Sequence, residues 1–161
     1  MKDLFLVRHA RAVNQAANDW ERALIAEGRK EARAVGAALA KLHVAWDAVA
    51  VSPLVRAVET ATLIAVEVGY EGGLVVDHAL APDGTTTAML SVCDRLEGSS
   101  IAIVGHEPSM GQLLSDLVGR PGLAMVKAGI VRLAFDGPIA VGAGKLVWSI
   151  SPRQLSPIRG G

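Results

Sequence analysis

Three short apolar runs, each followed within five residues by a charged or titratable residue, constrain the fold of this chain more than any other feature. The runs occupy residues 4–7, 48–51 and 101–104. Continuous apolar runs of this length are typical of strands that are buried on both faces of a parallel sheet. Between the first two, residues 28–42 repeat apolar side chains at helical spacing. The alternation predicts an α/β fold, a three-layer α/β/α sandwich with a mostly parallel sheet.

The remaining elements follow from the same patterns. We predict further strands and helices at residues 74–76 (strand), 85–96 (helix), 108–118 (helix), 129–135 (strand) and 145–150 (strand). Ser52-Pro53 predicts the start of a helix, with Ser52 as its N-cap and Pro53 as its first residue. Residues 11–26 are polar and irregular in period and receive no assignment. The chain shows no linker or repeat, so residues 1–161 are predicted to form a single domain.

Composition narrows the classes of function. Sixteen acidic and sixteen basic residues balance, so no global field favours nucleic acid or anionic membrane, and an anion site must be local. The single cysteine, Cys93, leaves no CxxC motif and no intrachain disulfide. No stretch approaches the ~18 uncharged apolar residues of a membrane span, and the first residues lack the pattern of a signal peptide. We therefore expect a cytoplasmic protein without nucleic-acid or membrane partners.

Four chemically active side chains stand where these strands end. Arg8 and His9 follow the first apolar run, Arg56 lies in the first turn of the helix after the second run, and His106 follows the third. Ligands of such sheets bind beyond the carboxyl ends of the strands. The sequence thus predicts that the four side chains converge at one edge of the sheet.

These residue types suit phosphoryl transfer without a metal. An imidazole can act as the nucleophile if one ring nitrogen is free and the other is held as a donor. Guanidinium groups carry a permanent charge and match phosphate geometry with paired donors. The histidines show no metal-binding spacing, so we expect neither a metal nor another cofactor.

Three blocks of sequence resemble a known family. Residues 6–10 (LVRHA) are similar to the Arg-His-Gly signature of the histidine phosphatase (phosphoglycerate mutase-like) superfamily. Residues 52–61 (SPLVRAVETA) resemble its S-P-x-x-R-A-x-x-T-A block, and residues 104–108 (VGHEP) resemble its second-histidine block. The short length and residues 19–24 (DWERAL) resemble the SixA-type phosphohistidine phosphatases, which lack a large helical insertion over the site.

The resemblance implies roles for individual residues. His9 would be the catalytic nucleophile. Arg8, Arg56 and His106 would bind the phosphoryl oxygens of the substrate and support catalysis. Arg22 would be an accessory phosphate or substrate contact.

The sequence also departs from the family pattern. Ala10 replaces the signature glycine, and an alanine fits this turn if the backbone φ at residue 10 is negative. Ala23 and Ile25 replace the Pro and Thr of the accessory block. No glutamate stands at the position of the general acid, and the sequence leaves Asp19, Asp83 or no residue for that role.

The resemblance implies a metal-independent phosphatase that acts through a phosphohistidine intermediate and removes phosphate from phosphohistidine on a signalling protein. Its partner would be a histidine-phosphorylated domain. Two alternatives stay open: a broad-specificity phosphatase of small phosphate esters such as sugar phosphates, and a phosphate-binding module without catalysis. The sequence carries no indication of oligomeric state.

Overall fold

A mixed β-sheet lies at the centre of the computed structural model, which describes residues 1–155. Within these residues the strands are β1 (Lys2–Arg8), β2 (Ala48–Val51), β3 (Leu74–Val76), β4 (Ser100–Gly105), β5 (Ile130–Phe135) and β6 (Lys145–Ile150). Their spatial order is β3-β2-β4-β1-β5-β6. The strands β3, β2, β4 and β1 pair with one another in parallel, whereas β5 is antiparallel to both of its neighbours, β1 and β6. Residues 156–161 of the predicted domain lie outside the described residues.

Helices cover both faces of the sheet. They are α1 (Ala26–Lys41), α2 (Val55–Val68), α3 (Thr86–Arg95), α4 (Ser109–Val118) and the short α5 (Pro152–Leu155). Within the described part of the chain, two 3-10 helices, Asp19–Glu21 and His78–Leu80, lie in the connections. No helix in residues 1–155 is long and apolar enough to cross a membrane.

Alternating side chains of β1 explain the three layers. Leu4 and Leu6 belong to one hydrophobic cluster, which includes residues of α3 and α4. Phe5 and Val7 belong to the other, which includes residues of α1 and α2. All four side chains are almost completely buried, and burial of each stabilises the fold by about 2 kcal/mol. A strand buried on both faces needs a continuous apolar run, and this is the feature that the sequence shows.

The predicted strands and the α/β/α fold are confirmed, with element ends shifted by one or two residues. The predicted start of the second helix is wrong. α2 begins at Val55 and has Leu54, without a side-chain cap, at its N-cap. Ser52 Oγ accepts the N–H of Leu54 (3.2 Å) and also contacts His106 Nε2 (2.7 Å). The serine hydroxyl is thus oriented towards the second histidine and lies too early to cap the helix.

The register of the parallel strands brings the predicted site residues to one edge. Arg8 pairs with Gly105, and Val51 pairs with Val104. The N–H of His9 donates to the carbonyl of Gly105 (3.0 Å). The residues that follow β1, β2 and β4 therefore begin at the same level, at the carboxyl end of the sheet.

Candidate active site

The two histidines predicted for the site lie next to each other at this edge. The ring centroids of His9 and His106 are 5.1 Å apart, with an angle of 51° between the ring planes. Both side chains are buried, with relative exposures of 6% and 1%. Burial lowers the pKa of both imidazoles most, and the positive charges of Arg56 and Arg8 lower it further. The structure thus brings all four predicted residues together.

The ring of His9 is held in the form that a nucleophile needs. Its Nδ1 lies 2.7 Å from the carbonyl oxygen of Ala10. A carbonyl only accepts, so Nδ1 carries the hydrogen and the neutral ring presents a lone pair on Nε2. Burial, with smaller contributions from Arg56, Arg8 and Lys127, lowers the pKa of His9 to about 4, and the hydrogen bond to Ala10 opposes that shift. His9 is therefore neutral at pH 7.

The turn that carries His9 is fastened to α2. The N–H of Ala10 donates to Thr60 Oγ1 (3.0 Å), whose hydroxyl donates to the carbonyl of Arg56 (2.7 Å). Thr60 is completely buried. Among the non-glycine residues that the structure describes, only His43 and Ala128 have a positive φ. Ala10 therefore fits the signature turn with a negative φ, as its Cβ requires.

His106 has one occupied and one free ring nitrogen. Its Nε2 lies 2.7 Å from Ser52 Oγ, whereas its Nδ1 is buried and has no partner. Burial, followed by the charges of His9 and Arg56, lowers the pKa of His106 to about 3, and Asp19 opposes the shift. A buried ring nitrogen without a partner is costly unless a ligand supplies one.

Arg56 lies in the first turn of α2 with 4% of its surface exposed. The macrodipole disfavours a cation at a helix N-terminus, so a nearby anion stabilises it. Asp19 is that anion: Arg56 Nη1 donates to its carbonyl (2.7 Å) and Nη2 to its Oδ2 (3.1 Å). Arg22 Nη1 donates to its Oδ1 (2.9 Å). One carboxylate therefore bridges Arg56 and Arg22, which places Arg22 beside the four central residues through Asp19.

The two carboxyl groups considered as general acids differ in position. Hydrogen bonds from Arg22 and then Arg56 lower the pKa of Asp19, with burial opposing. A carboxyl with a lowered pKa is ionised at pH 7 and a poor proton donor. Asp83 is exposed in the turn before α3 and makes no hydrogen bond or ion pair with the residues that the structure describes.

Glu107 is a site residue that our sequence reasoning missed. Burial lowers the pKa of Arg8, and the charge of Glu107 opposes that shift. Glu107 Oε1 is buried without a partner, and so is Arg8 Nε. A Cβ on Gly111 would lie 2.6 Å from Glu107 Oε2, so this glycine leaves room for the carboxylate. The signal in the sequence was its position directly after His106.

The arrangement is suited to binding an oxyanion. Arg8 Nη1 is anchored on the carbonyl of Met125 (2.9 Å), and the positive charges of Arg56 and Arg8 act on the neutral imidazole of His9. Permanent positive charges in a water-poor site stabilise charge on equatorial oxygens. Within residues 1–155 no group of three or more His, Cys, Asp or Glu side chains is arranged to hold a metal ion.

Comparisons with known proteins agree with this geometry. Residues 4–81 match the family model of the histidine phosphatase superfamily (branch 1). An uncharacterized protein of Picosynechococcus sp. is 32% identical over 167 residues, which cover 96% of this chain and 99% of that protein. The phosphohistidine phosphatase SixA homolog of Haemophilus influenzae is 29% identical over 147 residues, covering 84% of this chain and 89% of that protein. The protein histidine phosphatase SixA, solved as a complex with tungstate, superposes with a TM-score of 0.86 at 25% identity, covering 96% and 99% of the two chains.

Proposed function

This chain belongs to the histidine phosphatase superfamily and is a phosphatase, and from that premise we propose that it removes phosphate from phosphohistidine by way of a phosphoenzyme on His9. The predicted family and fold are thereby confirmed. The observation that carries the proposal is the neutral, buried imidazole of His9, with Nδ1 bound to a carbonyl and Nε2 free.

The reaction proceeds in two in-line displacements. In the first, His9 Nε2 attacks phosphorus, and the bond to the leaving nitrogen breaks with its electron pair going to that nitrogen, in a ring that has taken up a proton from water. In the second, water attacks the phosphorus of the phosphoenzyme. The P–Nε2 bond then breaks, its electron pair returns to the imidazole, and inorganic phosphate leaves. Each step moves the phosphoryl group between two nitrogen or oxygen atoms on opposite sides of phosphorus.

Three cationic or donor groups stabilise the equatorial oxygens in both steps. Arg8 and Arg56 supply guanidinium N–H groups. His106 supplies a third donor if Ser52 donates its hydroxyl hydrogen to Nε2, because the proton of the neutral ring then resides on the unpartnered Nδ1. Loss of one such group is expected to cost on the order of 10²–10³ in rate.

The nature of the carboxyl groups supports a nitrogen leaving group. The pKa of Asp19 is lowered by Arg22 and Arg56, so it is a poor acid for expelling an alkoxide. The distal ring nitrogen of phosphohistidine can take up a proton before the P–N bond breaks, so the imidazole leaves as a neutral ring without a strong acid, whereas an alcohol would have to leave as a strongly basic alkoxide. The natural substrate that we propose is a phosphohistidine side chain on a signalling protein.

Metal independence and cytoplasmic location belong to the same proposal. The charged groups that act on His9 are Arg56, Arg8 and Lys127, whose positive charges attract an anion and repel a cation. The cysteine content of one residue fits a reducing compartment. Turnover in the presence of excess EDTA tests the first point, and fractionation of the source cells tests the second.

Acid-labile, base-stable labelling of His9 is the decisive experiment. We expect the wild-type protein to form this phosphoenzyme from phosphohistidine peptide and to release phosphate, more slowly from sugar phosphates and aryl phosphates. His9→Ala should abolish turnover and still bind inorganic phosphate. His43→Asn is a matched control, because His43 is exposed with a positive φ that Asn tolerates. Near wild-type turnover by His9→Ala would refute the nucleophile, and saturable phosphate binding without any label would indicate a binding module.

A further inference from the structure

Trp20 is a large aromatic residue that lies at the surface and does not contribute to the hydrophobic core. It lies in the first 3-10 helix, and 45% of its surface is accessible. Its ring contacts the imidazole of His78, with centroids 5.7 Å apart and planes at 43°. Large aromatic side chains left accessible in a tilted pair form a ready surface for a third ring.

The backbone places Trp20 at the phosphoryl site. The preceding residue, Asp19, accepts both donors of Arg56 through its carbonyl and carboxylate. Asn18 caps the turn by accepting the N–H of Glu21 (3.2 Å), so the turn that carries the indole has a defined conformation. The indole therefore belongs to the residue that directly follows Asp19, the contact of Arg56, whose guanidinium is proposed to bind phosphoryl oxygens.

His78 lies in the second 3-10 helix, which places it beside the same edge of the sheet. The N–H of Asp77 donates to the carbonyl of Val51 at the end of β2 (3.0 Å). The carbonyl of Leu80 lies 3.3 Å from the position of a Cβ on Gly105, at the end of β4. The second 3-10 helix thus crosses the carboxyl ends of the two strands that lead to Ser52 and His106.

We propose that Trp20 and His78 form a subsite for the leaving group of the substrate, and that it takes a planar nitrogen heterocycle, the imidazole of phosphohistidine. This inference rests on the proposed function. Because Asp19 contacts Arg56 and the second 3-10 helix crosses the ends of β2 and β4, the aromatic pair lies beside the edge at which the phosphoryl group would be bound. The electron-rich face of the indole attracts an imidazole, most strongly once the ring carries a proton.

Two small phosphoramidates isolate the effect of the ring. Phosphoimidazole and phosphoramidate share the P–N bond, but only the first has a planar leaving group. Dissociation constants are measured by calorimetry on His9→Ala protein, which cannot turn over either compound, with and without Trp20→Ala. We expect Trp20→Ala to raise the ratio of the phosphoimidazole constant to the phosphoramidate constant about two- to tenfold. Trp20→Phe should restore the ratio. The matched control is Val66→Ala, because Val66 is 72% exposed and lies near the C-terminal end of α2, away from Arg56 in the first turn.

The outcomes separate the subsite from the proposed function. Equal weakening of both compounds, which leaves the ratio unchanged, means that Trp20 only holds Asp19 against Arg56. Unchanged dissociation constants for both compounds mean that the ring is not contacted, and either result overturns the subsite. Failure of the wild-type protein to hydrolyse phosphoimidazole, combined with a Trp20-dependent ratio, overturns the proposed function and supports the subsite.

Discussion

The carboxylate of Asp19 occupies the cationic donors that an incoming phosphate needs. Its Oδ2 lies 3.1 Å from Arg56 Nη2, and its Oδ1 lies 2.9 Å from Arg22 Nη1. Asp19→Asn removes the negative charge. The carbonyl of residue 19, 2.7 Å from Arg56 Nη1, and the amide oxygen of the new side chain remain as acceptors. We predict that Asp19→Asn binds inorganic phosphate or tungstate more tightly than the wild-type protein.

The size of the gain follows from the geometry. An anion seated on Arg56 lies roughly 5 Å from the carboxylate, where two unit charges repel by about 0.8 kcal/mol in water. The side chain of Asp19 is 53% exposed, so the water value applies and salt reduces it further. For an anion with nearly two charges the net relief is about 1 kcal/mol, which corresponds to an affinity about fivefold higher.

Isothermal titration with tungstate and with phosphate measures this gain. We expect it to shrink as the salt concentration rises from about 0.02 M to about 0.5 M, because the Debye length falls from tens of ångströms to a few. Asp94→Asn is the charge-matched control, since Asp94 is exposed on α3. Weaker anion binding in Asp19→Asn, or a gain equal to that of the control, would show that the carboxylate orients Arg56 instead of competing with the ligand.

Three further predictions concern stability. The pKa values of His9 and His106 are lowered to about 4 and about 3, so the unfolded chain binds more protons below pH 6.5. The free energy of unfolding should therefore be highest above pH 6.5 and should fall by on the order of 2 kcal/mol per histidine as the pH is lowered to 5. Urea denaturation above pH 6.5 and at pH 5 measures this difference, and an equal free energy at both would contradict the lowered pKa values. Thr60→Val should lower the free energy of unfolding by about 1–3 kcal/mol. The control is Thr62→Val, which removes an exposed hydroxyl with the same type of bond within α2 and should change this free energy by no more than about 0.5 kcal/mol. Similar losses in the two variants would refute the role of the Thr60 bridge. Gly28→Ala should lower the free energy of unfolding by about 1–3 kcal/mol, although alanine favours helices, because its Cβ would lie within 3 Å of the Arg11 carbonyl. The control is Gly73→Ala, since a Cβ on Gly73 would have open space around it. A Gly28→Ala protein that is more stable than the wild type would disprove the clash.

The amino-acid sequence by itself determined the sheet and the edge at which the site lies. Apolar runs of four or more residues allow few alternatives to strands buried on both faces, and the carboxyl ends of parallel strands meet at one edge. His9 and His106 each follow the end of such a run with one residue between, and these positions predicted that the rings lie near each other. The roles assigned to these residues stay predictions until the labelling experiment is done.

The tertiary structure alone decided which side chains surround the two histidines. Asp19 and Trp20 belong to a polar segment without period, so no local rule connects them to Arg56 or His78. Ser52 was expected to cap a helix and instead contacts His106. Such contacts depend on how separate loops pack over the sheet. Periodicity specifies which face of an element is buried, but not which loop atoms come within hydrogen-bond distance.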